Sequence, residues 1–126
     1  MDADGLRELF REFGPVDVRR MFGGLGIFVD GLMIALVARG EVYLKADTGT
    51  IPAFEREGQR PFSYATKNGE HVLTSYWRMP EALYDDPEEL ARWARDAHAV
   101  ALRANAAKSK PKLKAKAKRR QSAKKR

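Results

Sequence analysis

Residues 19–37 read RRMFGGLGIFVDGLMIALV, and the fold turns on them. Gly23, Gly24, Gly26 and Gly31 sit inside a run that otherwise favours extended backbone. A phosphate-binding loop needs glycines followed by a helix whose first amides face the ligand. Here the following residues, Ile27-Phe28-Val29, are β-branched and aromatic, so a strand comes next. Neither GxGxxG nor GxxxxGK[ST] is present. The glycines therefore read as structural, marking a tight turn or bulge that relieves crowding and accepts positive φ. Asp30-Gly31 is a two-residue hairpin signal, which makes Leu32–Val37 the antiparallel partner of the strand before it.

Outward from that hairpin the pattern extends on both sides. Leu6, Leu9, Phe10 and Phe13 recur at helical spacing over 4–13, Asp4 can cap the start, and Gly14-Pro15 ends the run. Val16–Phe22 alternates as a strand. Arg39-Gly40 turns the chain into a further strand at 41–45. The connections are too short for parallel crossovers, so an antiparallel meander follows. A short helix is predicted at 48–57, with Ile51 and Phe54 inward and Gly58 as its stop. Strands follow at 61–65 and 71–78, joined at Lys67-Asn68-Gly69 by an expected type I′ turn. Residues 80–84 form one helical turn. Asp86, Pro87 and Glu89 mark the start of a last helix as a capping box with proline at its first position. Its apolar stripe runs through Leu90, Trp93, Ala94, Ala97, Val100, Ala101 and Ala104, and the helix is expected to end near Ala106. The fold class is α+β: an antiparallel sheet, meander plus hairpin, with flanking helices.

The chain has 126 residues and a formal net charge of +7, but that charge is unevenly placed. Eleven of the 24 basic residues lie at 108–126, with no acid among them: Lys108, Lys110, Lys112, Lys114, Lys116, Lys118, Arg119, Arg120, Lys124, Lys125 and Arg126. The remaining 13 face all 17 acids, so residues 1–107 carry a balance of −4. Two regions are expected: a folded domain at 1–107 and a disordered Lys/Arg-rich tail at 108–126. Pro111 argues against continuing the last helix into that tail. A dense cationic segment attracts nucleic acid by releasing condensed counterions, without sequence preference and with steep salt dependence. The competing use is as a solubilising tail. Leu113 is the one large apolar residue there, so a membrane surface is a poorer partner.

Catalytic signals are thin. Without cysteine, thiolate catalysis and cysteine-ligated metals are excluded. His71 and His98 share no metal-binding motif, and Ser63 and Ser75 lack the GxSxG context. No cofactor, metal or catalytic residue is assigned. Arg19, Arg20, Arg39 and Lys45 could form a basic patch, but Asp17, Asp30 and Glu41 interleave with them. Trp77-Arg78 offers a candidate partner surface. At most one of Tyr76 and Trp77 is expected in the core, because adjacent strand residues face opposite ways; for the other, cover by the last helix, a dimer interface and exposure are the alternatives. No apolar run is long enough to span a bilayer, and the acidic start MDADG is unlike a signal peptide, so a cytoplasmic protein is expected.

The phrases MFGGLGIFVDGLMIALV (21–37), VYLKAD (42–47), FEREGQRPFSYAT (54–66) and SYWRMPEALYDDPEELARWARDAHAVA (75–101) carry a further signal. Over about residues 6–104 the chain resembles the N-terminal domain of the TfoX (Sxy) family. That resemblance implies a secretion-chaperone-like fold with an antiparallel sheet and flanking helices. It also implies a role in competence gene expression, where such regulators act with the cyclic-AMP receptor protein at promoters. Full-length regulators carry a second, helical domain, and a lysine-rich tail is expected in its place here. The expectation is a non-enzymatic accessory or regulatory protein with nonspecific DNA contact through the tail and a transcription-complex protein as partner. The alternative is a homodimeric, chaperone-like interaction module with no DNA role.

Overall fold

The computed structural model describes residues 1–21 and 23–122; of 109–122 it describes the backbone alone. Six strands form one antiparallel sheet, ordered β1-β2-β3-β4-β6-β5. They are β1 Asp17–Met21, β2 Gly24–Val29, β3 Leu32–Ala38, β4 Glu41–Lys45, β5 Pro61–Thr66 and β6 Gly69–Arg78. Helices α1 (Ala3–Leu9), α2 (Ile51–Arg56) and α3 (Pro87–Ser122) and a 3₁₀ turn (Glu81–Asp85) complete the chain. The α+β class and the meander-plus-hairpin arrangement hold.

Two meander turns follow directly from local chemistry. Asp30 and Gly31 have φ of 50° and 82°, and Arg39 and Gly40 have 53° and 77°, so both pairs take the left-handed backbone that a two-residue hairpin needs. The Asn-Gly hairpin differs from expectation. Thr66 pairs with Gly69, so Lys67 and Asn68 are the turn residues, and of Lys67, Asn68 and Gly69 only Gly69 has positive φ. The Thr66 hydroxyl causes the shift: it accepts from the Asn68 amide and donates to the Gly69 carbonyl.

One face of the sheet is buried. Register places Val18, Ile27, Ala35, Val37, Val42, Leu44 and Trp77 on it. Leu6 and Phe10 from the N-terminal segment, Phe54 of α2, and Leu90, Ala94, Ala97 and Ala101 of α3 complete a single core. The alanines let α3 lie close over β3 and β4. A register shift in β2–β3 leaves both Ile34 and Ala35 fully buried.

The start of α3 is half of the expected capping box. The Asp86 carboxylate accepts from the Glu89 amide at 3.2 Å. The Asp86 amide is already bonded to the Leu83 carbonyl, so the Glu89 carboxylate instead accepts from the Trp93 indole at 3.2 Å. The far end departs further. The α3 backbone runs 36 residues to Ser122 and passes the expected stop at Ala106 and Pro111. Alanine and lysine are strong helix formers, and that propensity offsets part of the cost of the hydrogen bond that Pro111 removes. Among the residues of α3 whose side chains are described, Ala101 is the last buried one, and Leu102–Lys108 are exposed. A helix this long measures roughly 54 Å.

Candidate nucleic-acid interface

The glycines act within strands as well as at turns. Gly23, with φ of 78°, turns the chain between β1 and β2. Gly24 and Gly26, expected with that turn, lie inside β2 instead. A Cβ on Gly24 would overlap the Val37 carbonyl oxygen of β3. One on Gly26 would sit 2.6 Å from Met21 Sδ and 2.8 Å from the Phe28 ring. Gly31 occupies its predicted hairpin turn. The glycine stretch thus serves close strand approach, with a strand after it.

Trp77 and Arg78 do not form a shared surface. Trp77 is 8% exposed, packs 6.1 Å from the Phe54 ring and donates its indole N–H to the Thr74 carbonyl. It belongs to the core, because the pairing of Leu44 with Trp77 turns it beneath the helices. Arg78 faces the other way and pairs with Glu41 at 2.6 Å. Only Trp77 of the two aromatics joins the core, as expected, and Tyr76 is covered rather than exposed. It lies outside the main core with the Lys45 ammonium 4.8 Å from its ring centroid.

The four cations of the suggested patch do not form one cluster. Arg19 lies over the Phe28 ring at 4.6 Å on the face away from the helices. Arg20, its neighbour, points to the opposite face and lines an open cavity of about 830 Å³ with Arg39, Asp2, Val18 and Leu25. Lys45 belongs to a second, smaller cavity at the other end of the strands. Burial lowers the Lys45 pKa, and the nearby Lys108 ammonium lowers it further.

The catalytic alternatives do not assemble. Ser63 donates to Glu70 at 2.9 Å rather than to a histidine. His71 stacks on Tyr64 at 5.7 Å, and His98 packs edge-on to Phe13 at 6.1 Å. The His98 Nε2 is buried and unpartnered among the described residues. No group of three or more acids and histidines among the described residues could hold a metal ion. No helix among them is long and apolar enough to cross a membrane.

Of the basic segment, Lys108 is exposed on α3 beside Lys45. The backbone at Lys110, Lys112, Lys114, Lys116, Lys118, Arg119 and Arg120 continues the helix, and their side chains lie outside the described residues. Lys124, Lys125 and Arg126 lie wholly outside them. The segment adjoins a body of opposite net charge, and that segregation was legible in the sequence.

Comparison with known proteins agrees with this architecture. The chain is similar to protein Sxy of Escherichia coli (strain K12), 27% identical over 97 residues, which are 77% of this chain and 46% of that protein. The chain therefore spans about half the length of that curated relative. The family model of the TfoX N-terminal domain matches residues 8–101, from within the N-terminal helical segment to Ala101 of α3. With three-quarters of its length under that match and the six-stranded sheet inside it, the chain belongs to the TfoX N-terminal domain family.

Proposed function

We propose that this chain is a non-enzymatic regulatory protein of the competence type, which contacts nucleic acid without sequence preference through its basic C-terminal segment. Family membership supports the regulatory role. The observation that carries the nucleic-acid contact is charge segregation: eleven cations without an acid at 108–126, on a body of balance −4. The body repels a polyanion weakly, so the cationic segment supplies the attraction and the body presents surfaces to a transcription-complex protein. Affinity capture of the full chain from its source cells, with and without nuclease, tests this. Nucleic acid should co-purify, and replacing the basic residues from Lys110 to Arg126 with glutamine should abolish it. Equal recovery by both chains would refute the tail's role.

A second reading is favoured by one surface. The β5–β6 hairpin extends past β4, which pairs only with Tyr76–Arg78 of β6. It exposes Tyr64, Val72 and Leu73 at 44%, 53% and 37%. Exposed apolar side chains along an unpaired edge suit self-association or protein docking. Sedimentation equilibrium distinguishes this homodimeric module: a dimer that Val72→Lys disrupts supports it, and a monomer at all concentrations contradicts it.

A further inference from the structure

The smaller cavity, about 240 Å³, opens where the start of β3, the end of β4 and the last described side chains of α3 meet. Its polar lining is Lys45, Tyr76, Asn105 and Lys108. Leu32 and Ala101 are among the apolar residues of its walls. No carboxylate lines it among the described residues. Two ammonium groups thus share a concave site with no acid of the lining to balance them. The lysines repel each other, and burial adds to the cost of charge on Lys45. The attraction of an anion between them offsets both costs. A phenol and a carboxamide can both donate hydrogen bonds to it. Burial pushes the Tyr76 phenol up to about 12, so it stays a protonated donor at neutral pH.

We propose that this cavity is a phosphate-binding site, which holds one phosphate group between Lys45 and Lys108 with Tyr76 and Asn105 as further donors. Lys108 is also the first cation of the basic segment, so the site stands where that segment leaves the body. For its source of phosphate the proposal rests on the nucleic-acid reading: a strand held by the basic segment would present a backbone phosphate here. The site itself rests on the cavity alone, and free phosphate tests it separately.

The experiment follows backbone amides of the full chain by NMR. Inorganic phosphate is titrated at constant ionic strength, and a twelve-nucleotide single strand is titrated separately. Saturable shifts are expected at residues 31–33, 45, 76 and 105. Lys45→Gln and Lys108→Gln should each weaken phosphate binding about tenfold or more, the size of one lost charge-assisted hydrogen bond. Lys108 is exposed, so K108Q keeps the test open if K45Q fails to fold. Non-saturable shifts, or unchanged affinity in K108Q, would overturn the proposal. If the oligonucleotide moves the same amides and phosphate competes with it, the source is a nucleic-acid backbone; if only phosphate acts, it is a free phosphate or a small phosphorylated ligand. A chain with glutamines from Lys110 to Arg126 should still bind phosphate. If it also binds the oligonucleotide undiminished, the tail reading fails while the site stands.

Discussion

Gly24 of β2 lies so close to Val37 of β3 that any side chain on Gly24 would overlap the Val37 carbonyl oxygen. Backbone cannot yield as a side-chain tip can. Gly24→Ala is expected to destabilise the protein by about 3 kcal/mol, at the upper end for overpacking. Gly26→Ala meets the ends of Met21, Phe28 and Met33 instead, which can move, and should cost about 1 kcal/mol. Urea unfolding of the two variants measures the difference. The reverse order would show that strand approach at Gly24 is not the constraint.

Trp77 and Arg78 are adjacent but unequal. Truncating Trp77 to alanine removes a buried ring packed on Phe54 and should cost about 3–5 kcal/mol. Arg78→Gln breaks a half-exposed ion pair with Glu41 and should cost less than about 1 kcal/mol. Thermal unfolding of both variants checks this. Similar small effects would return Trp77 to the surface.

Much of this was legible in the sequence, and its limits are physical. Asp30-Gly31 and Arg39-Gly40 were readable because a two-residue turn is decided by the residues within it. The α3 stripe was readable because Leu90, Ala94, Ala97 and Ala101 repeat at helical spacing. Tyr76 and Trp77 were only half readable, because alternation says they diverge but not that Lys45 covers the first. The Asn68-Gly69 turn was misread because the Thr66 hydroxyl sets its register. The Lys45–Tyr76–Asn105–Lys108 cavity had no sequence signal, since its members come from three elements and meet only when α3 packs over the sheet.

Tyr76 makes a spectroscopic prediction. Its pKa is raised from 10.0 to about 12 by burial, so the folded state holds its proton where the unfolded state has lost it. The resulting stabilisation is fully present below pH 10 and is lost as the pH rises from 10 to about 12. Absorbance titration of tyrosinate should show a late step near pH 12 that Tyr76→Phe removes. A late step that persists in Tyr76→Phe would contradict the assignment.

His98 presents a buried Nε2 without a partner among the described residues. An unsatisfied polar atom costs stability, and an apolar side chain of similar size avoids that cost. His98→Leu should be neutral or up to about 1 kcal/mol stabilising by urea unfolding. A clear loss of stability would mean that the imidazole makes a bond, such as one to an ordered water.

The central claim is that eleven cations at the C-terminal end hold nucleic acid nonspecifically. Its most direct test is duplex DNA binding by the full chain, and by the chain with glutamines from Lys110 to Arg126, over a salt series. The account predicts that the logarithm of the binding constant of the full chain falls linearly with the logarithm of salt concentration. The slope should correspond to several released counterions, at roughly 0.9 per phosphate contact, and should become much shallower in the glutamine chain. Equal affinities and equal slopes for the two chains would contradict it.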